Sequence, residues 1–211
     1  MASRVVPAIL TDDPAELEAM ARRVETFAPY MQVDIMDGEF VPSHSVHTRK
    51  LLDVMIRIPF EVHLMVEEPE GQFDICRQAG ARRVIFHFEA VDNPLETIHQ
   101  ARELDLEVGI AVNPETELAD FAHLAGGIDC VLFLSVHPGY YGRPFIPEVL
   151  DKLVKFCRAE PCVETGIDGG VKEKNIARIA ATGVNHICVG SAIMKQPDPA
   201  ENFCHLQSLV E

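Results

Sequence analysis

The sequence predicts an α/β fold in which eight parallel strands close into a (β/α)8 barrel of the TIM-barrel class, with residues 1–211 forming one domain. Short apolar runs alternate with amphipathic segments about eight times, which is typical of parallel strands buried on both faces. Polar residues follow nearly every strand, and in a barrel these strand ends converge on the face that holds the active site. An open, doubly wound sheet is the alternative.

The predicted elements follow one another without a linker. The strands are apolar runs at residues 5–10, 32–36, 60–66, 83–88, 107–112, 130–136, 163–167 and 186–189. Helices are predicted between them by an apolar period of three to four residues, by capping Asp or Asn residues and by Pro in the first turn. They are expected to begin at Pro14, near Leu51, and at Pro69, Pro94, Pro114, Pro147, Asn175 and Pro199, with a turn at 190–191.

Composition excludes several classes of function. The net charge of -15 argues against nonspecific nucleic-acid binding, which needs clustered Lys and Arg. No apolar run approaches the roughly 20 residues that span a membrane, and the N-terminus lacks a signal-peptide core, so a cytoplasmic location is expected. The six cysteines include no CxxC pair and are expected to be reduced and structural.

Asp34 is the most unusual residue in a predicted strand. Side chains alternate along a strand, so Gln32, Asp34 and Met36 share one face. A carboxylate in an apolar run is costly to bury unless it is paired, bound to a metal or protonated. Asp37, just before Gly38, instead fits a turn-capping role. Asp34 is therefore a candidate functional residue.

Asp34, His63 and Asp168 are expected to meet on the barrel axis. Two carboxylates and an imidazole can bind a divalent cation. Two carboxylates on opposite faces of a small substrate can equally act as an acid/base pair. The alternative interpretation of His63 is a core histidine hydrogen-bonded to a neighbouring strand. The other polar or sulfur-bearing residues at the strand ends are Met65, His87, Glu89, Asn113, Ser135 and His137.

Glycines follow the last strands, at Gly139, Gly142, Gly169, Gly170 and Gly190. Exposed backbone N–H groups at these strand ends form the common phosphate site of such barrels, and that site needs no basic side chain. Turn formation alone is the other explanation of the glycines.

Seven segments carry a family resemblance, in order along the chain: residues 7–10, 33–42 (VDIMDGEFVP), 62–66 (VHLMV), 112–114, 135–145 (SVHPGYYGRPF), 168–171 and 189–193. They resemble the ribulose-phosphate 3-epimerase family. The resemblance implies the ribulose-phosphate-binding type of TIM barrel. It also implies interconversion of D-ribulose 5-phosphate and D-xylulose 5-phosphate, and a homo-oligomer.

The resemblance implies roles for the site residues. Asp34 and Asp168 would transfer protons at C3 through an enediolate, and both would ligate one divalent metal ion (Zn, Mn, Fe or Co) with His63 as a third ligand. Met36 and Met65 would line the site. The phosphorylated ketose would be gripped by Gly139, Tyr140, Tyr141, Gly142, Arg143, Gly169, Gly170, Gly190 and Ser191, where Arg143 is either a bidentate phosphate donor or a solvated charge.

The chain departs from the family pattern at the site. Gln32 stands where the family has a fourth metal ligand, His, and an amide is a poorer ligand for transition metals. Ala8 replaces a Ser that contacts substrate, and Leu134 replaces a third methionine. Glu39 and Ser43 replace His and Asn. Metal binding is therefore expected to be weak or absent if Gln32 does not substitute for His.

Three interpretations follow from these departures. The first is an epimerase with an altered metal site or with another substrate, such as a ketohexose 6-phosphate. The second is an isomerase or aldolase of the same fold. The third is a non-catalytic sugar-phosphate-binding or subunit interaction protein. The presence of Asp34, His63 and Asp168 favours the first. A protein that only binds would have no reason to keep two opposed carboxylates, because without a cation they repel each other and an anionic ligand.

Overall fold

The computed structural model of the chain describes residues 3–139 and 143–211. Within them, eight parallel strands pair in sequence order, and the last pairs with the first, so the sheet closes into a barrel. The predicted (β/α)8 fold is confirmed, and the open sheet is excluded. The strands are β1 (Arg4–Ile9), β2 (Met31–Met36), β3 (Phe60–Met65), β4 (Arg83–His87), β5 (Glu107–Val112), β6 (Cys130–Leu134), β7 (Glu164–Asp168) and β8 (His186–Val189).

The described helices are α1 (Pro14–Val24), α2 (Glu70–Gln78), α3 (Pro94–Glu103), α4 (Leu118–Phe121), α5 (Val149–Ala159), α6 (Glu173–Ala180), α7 (Ser191–Met194) and α8 (Pro199–Ser208). The start signals read from the sequence act as expected. The side chains of Asp13, Asn93 and Asp198 accept hydrogen bonds from the first turns of α1, α3 and α8, each of which has Pro near its start.

Several predicted elements differ from the observed ones. The helix expected near Leu51 is a 3₁₀ helix (Thr48–Asp53), and β4 gives way after His87 to a 3₁₀ turn (Phe88–Ala90). The helix expected from Pro114 begins only at Leu118. The Lys152 ammonium donates hydrogen bonds to the carbonyls of residues 113, 114 and 116 and so holds that segment in a turn. The turn at 190–191 opens the one-turn helix α7.

Most of the apolar packing lies in two layers. The larger layer lies between the barrel and the helices and contains large buried side chains such as Phe73, Phe121 and Phe156. The smaller layer fills the barrel interior with side chains such as Val6, Ile85 and Leu132. The interior is therefore a packed core, and ligands must bind at one of its ends.

A buried ion cluster closes the amino-terminal end of the barrel. Arg83, only 3% exposed, contacts Glu164 at 2.8 Å, Glu107 at 2.9 Å and Glu61 at 3.3 Å. The Tyr30 hydroxyl donates to Glu61 at 3.1 Å. Because these charges seal that end, the opposite end is left for chemistry. Across residues 3–139 and 143–211, every helix falls short of the length and apolar character needed to cross a bilayer.

Candidate active site

A cavity of about 140 Å³ lies at the carboxyl ends of the strands. Its lining includes most of the residues singled out from the sequence: Asp34, Met36, His63, Met65, Gly139, Arg143, Asp168, Gly169, Gly170, Gly190 and Ser191. Tyr140, Tyr141 and Gly142 lie outside the described residues. Gln32 is fully buried beneath the cavity. The expected convergence of the strand ends on one site is observed for the described residues.

Strand register brings the central side chains together. Asp34 on β2 lies opposite His63 on β3, and Met36 lies opposite Met65. Asp168 is the last residue of β7, and it reaches the same point from across β1 and β8. Alternation within each strand thus turns three distant carboxylate and imidazole groups toward one volume.

The three polar side chains form a compact donor set. Nδ1 of His63 lies 3.2 Å from Oδ1 of Asp34 and 3.7 Å from Oδ2 of Asp168. One ligand atom from each residue lies within 4.8 Å of the others. Two carboxylate oxygens and one imidazole nitrogen at this spacing fit a divalent transition-metal ion.

The Gln32 amide joins the two carboxylates. Its Nε2 donates to Oδ1 of Asp34 at 2.7 Å and to Oδ2 of Asp168 at 2.9 Å, while its Oε1 accepts from the Cys188 thiol at 3.0 Å. In this orientation the amide nitrogen is a hydrogen-bond donor to both carboxylates. To act as a metal ligand, Gln32 would have to turn its oxygen toward the carboxylates.

Burial and mutual repulsion favour protonation of the Asp168 carboxyl. Burial, with the Asp34 charge, raises the pKa of Asp168 to about 7. Burial also opposes protonation of His63, but its contacts with Asp34 and Asp168 prevail and raise the pKa of its imidazole. The Asp168 carboxyl can therefore carry a proton near neutral pH.

Close packing holds the Asp168-Gly169-Gly170 turn. Gly169 and Gly170 have φ angles of 108° and 64°, and a Cβ at Gly169 would lie 2.5 Å from a methyl of Val136. The Ser135 hydroxyl donates to the carbonyls of Asp168 at 2.9 Å and Gly169 at 2.7 Å. Only glycine suits such positions, so the backbone is brought close to the cavity.

The departures from the family pattern fall into two groups. Ala8 and Leu134 line the cavity, so they bear directly on what it binds. Ser43 donates to the carbonyl of Gly139 and holds the loop after β6, whereas Glu39 is exposed. Ala8 also lines a neighbouring cavity of about 610 Å³, which shares Leu10, Met36, Gly190 and Ser191 with the first cavity.

Other polar residues lie outside the centre. Asp37 caps its turn, as predicted from the sequence: its carboxylate accepts hydrogen bonds from the backbone N–H groups of residues 39, 40 and 67. His47 caps the 3₁₀ helix, and His137 pairs at the surface with Glu115 at 2.9 Å.

Cys188, which orients Gln32, and Lys172, which lines the cavity, were not assigned to the site from the sequence. Lys172 could have been recognised from the sequence, because it follows the glycines at the end of β7. Cys188 sits on β8, and its contact with Gln32 depends on barrel closure.

Comparisons with known proteins identify the family of this chain. A profile described as the Ribulose-phosphate 3 epimerase family matches residues 4–194. Ribulose-phosphate 3-epimerase of Mycobacterium leprae is 34% identical over 206 residues, covering 95% of this chain and 92% of the relative. The Escherichia coli K12 protein of the same name is 35% identical, covering 92% and 90%. The structure of 3-hexulose-6-phosphate synthase from Salmonella typhimurium superposes with a TM-score of 0.72 at 17% identity, covering 98% of both chains.

The fold and site thus define a (β/α)8-barrel enzyme that places paired carboxylates and an imidazole at the carboxyl ends of its strands. The profile match and the sequence identity to the relatives show to which family this barrel enzyme belongs. This chain belongs to the ribulose-phosphate 3 epimerase family and is a carbohydrate epimerase.

Proposed function

We propose that the protein interconverts D-ribulose 5-phosphate and D-xylulose 5-phosphate by inverting C3. The observation that carries this proposal is the placement of Asp34 and Asp168 on one cavity, joined through Gln32. An epimerase needs a base on one face of the carbon and an acid on the other. Two carboxylates with a proton available between them meet that need.

The proton balance follows from this pair. The ionised carboxylate takes the C3 proton, and the C–H electrons move to form the enediolate across C2 and C3. The protonated carboxylate, on the opposite face, then gives its proton to C3 and the C2 carbonyl re-forms. The raised pKa of Asp168 suits it to act as the acid in one direction of the reaction, with Asp34 as the base. In the opposite direction Asp34 is the acid and Asp168 is the base.

Asp34, His63 and Asp168 would hold one divalent cation, and the donor set suits zinc, manganese, iron or cobalt. A bound cation would supply positive charge for the oxygens of the enediolate. Gln32 would join as a fourth ligand through Oε1 only after its amide turns. The buried cluster of Met36, Met65 and Val41 excludes water beside these groups.

We propose that the glycine-rich strand ends bind the phosphate. Gly139, Gly169, Gly170 and Gly190 line the cavity together, and backbone N–H groups suit an anion in a protein of net charge -15. Arg143 and Lys172 also line it and can add positive charge. These groups lie on the β6, β7 and β8 side, so the sugar would extend from them toward β2 and β3.

One observation favours a second candidate substrate. Ala8 has no hydroxyl and lines both the catalytic cavity and the adjoining cavity of about 610 Å³. A ketohexose 6-phosphate is one carbon longer than a pentulose phosphate and could extend into that space. Epimerisation of such a substrate would use the same pair of carboxylates.

The test measures the conversion of ribulose 5-phosphate and of a ketohexose 6-phosphate by NMR, after chelation and after zinc, manganese or iron is restored. We expect Asp34→Asn and Asp168→Asn each to lower turnover by about 100- to 10,000-fold, the contribution of acid/base catalysis. Circular dichroism must show that both variants are folded. Wild-type turnover in either would refute the two-carboxylate mechanism, and no conversion of either substrate by the wild type would refute the function.

A further inference from the structure

A buried hydrogen-bonded chain leads away from His63 on the side opposite the carboxylates. Nε2 of His63 lies 3.0 Å from Nε2 of His87, and Nδ1 of His87 lies 3.2 Å from Oε2 of Glu89. Both imidazoles are fully buried. Oε1 of Glu89 accepts from the Asn113 N–H at 2.8 Å and from the Thr116 hydroxyl. The chain thus crosses from β3 to the loops after β4 and β5.

The chemistry of Glu89 fixes the direction of every bond in this chain. The hydrogen bonds from His87, Thr116 and the Asn113 backbone outweigh burial and lower the pKa of Glu89, so its carboxylate can only accept. Nδ1 of His87 must therefore carry a hydrogen. A neutral imidazole carries one N–H, so with that hydrogen on Nδ1 the Nε2 of His87 has a lone pair. Nε2 of His63 must then donate to it.

The consequence for His63 is a defined tautomer. A neutral imidazole has one N–H, and in His63 that N–H is committed to His87. The lone pair of Nδ1 then faces Oδ1 of Asp34 at 3.2 Å and Oδ2 of Asp168 at 3.7 Å. A lone pair among carboxylate oxygens is favourable only with a cation or a proton between them.

We propose that Glu89 and His87 are positioning residues that hold His63 in the Nε2–H tautomer, so that Nδ1 is presented to a divalent cation. The inference rests on the proposed metal site and extends it to two residues that do not face the cation. The ring centroids of Phe40 and His87 lie 4.8 Å apart, so Phe40 packs against the intermediate imidazole. Outer hydrogen bonds of this kind typically change metal affinity by about 10- to 100-fold.

Glu89→Gln tests the direction of the chain. The amide nitrogen can donate to Nδ1 of His87, which moves the His87 hydrogen to Nε2 and leaves His63 no acceptor there. We expect zinc affinity, measured on the whole chain by competition with a chromophoric chelator, to fall by about 10-fold or more. Glu115→Gln is the matched control, because Glu115 pairs with an exposed histidine at the surface, and its affinity should stay within about twofold.

Two substitutions at His87 separate positioning from packing. His87→Gln keeps an acceptor for His63 and a donor for Glu89, so zinc affinity should stay within about threefold of the wild type. His87→Leu removes both, and affinity should fall by about 10-fold or more. This pair carries the test if Glu89→Gln does not fold.

Long-range ¹H–¹⁵N NMR of the zinc-loaded wild type should show His63 protonated at Nε2 and metal-bound at Nδ1. Unchanged zinc affinity in folded Glu89→Gln or His87→Leu, zinc on Nε2 of His63, or no zinc binding by the wild type would each overturn the inference. Failure of the proposed function looks different, since zinc affinity would follow these expectations while neither sugar phosphate is converted.

Discussion

Gln32→Glu replaces the donor that joins the two carboxylates with a third acceptor of nearly the same shape. The wild-type amide donates to Asp34 at 2.7 Å and to Asp168 at 2.9 Å, in full burial. Hydrogen bonds to charged groups contribute about 1.5–3 kcal/mol each, so losing two should cost about 3–6 kcal/mol without metal. For a domain of this size, the lower figure corresponds to a fall in Tm of about 6–12 °C.

The assay is thermal unfolding followed by circular dichroism at pH 8, in chelator and then with zinc. Gln196→Glu, at an exposed position, is the control for the added charge. Because a third carboxylate oxygen suits a cation better than an amide nitrogen does, zinc should raise the Tm of Gln32→Glu more than that of the wild type. Equal Tm values for Gln32→Glu and Gln196→Glu in chelator would refute the bridging role of Gln32.

Three further predictions test other parts of the site. Gly169→Ala should lower the free energy of unfolding by about 1–3 kcal/mol in urea melts, because its φ is 108° and the new Cβ would meet Val136, whereas Gly126→Ala, with open space around it, should not. As pH rises from about 4 to 7, the metal-free wild type should lose stability relative to Asp168→Asn, by about 4 kcal/mol at most, because the raised pKa of Asp168 makes the folded state bind its proton more tightly than the unfolded state does. This stabilisation is complete below the pKa of the unfolded state and is lost as pH rises through the pKa of the folded state. A stability difference that does not change with pH would contradict this prediction. Arg143→Ala should raise KM for the sugar phosphate more than twofold, and a smaller change would favour a solvated loop charge.

The fold was predictable because its signals are local. Alternation of buried strands with capped helices requires only a few neighbouring residues, and Asp13, Asn93 and Asp198 begin their helices as the sequence indicates. The helix expected from Pro114 failed because the ammonium of Lys152, almost forty residues away, holds that segment in a turn. Distant contacts of this kind leave no local pattern.

The site was predictable in its residues and less so in its contacts. Asp34 and His63 were recognised because polar side chains interrupt apolar strands, and register then places them side by side. The bond between Gln32 and Cys188 joins β2 to β8, and it depends on barrel closure and side-chain rotation. The chain from His63 through His87 to Glu89 likewise becomes visible only when the interatomic distances are known.

The central claim is that two different carboxylates handle the proton at C3. The most direct measurement is the deuterium content at C3 of both product and recovered substrate, after brief turnover of ribulose 5-phosphate in D₂O. We predict a product that carries solvent deuterium and a recovered substrate that keeps its own hydrogen, because one carboxylate removes the proton and the other, equilibrated with solvent, delivers the new one. Transfer of the original hydrogen into the product would contradict the two-carboxylate account.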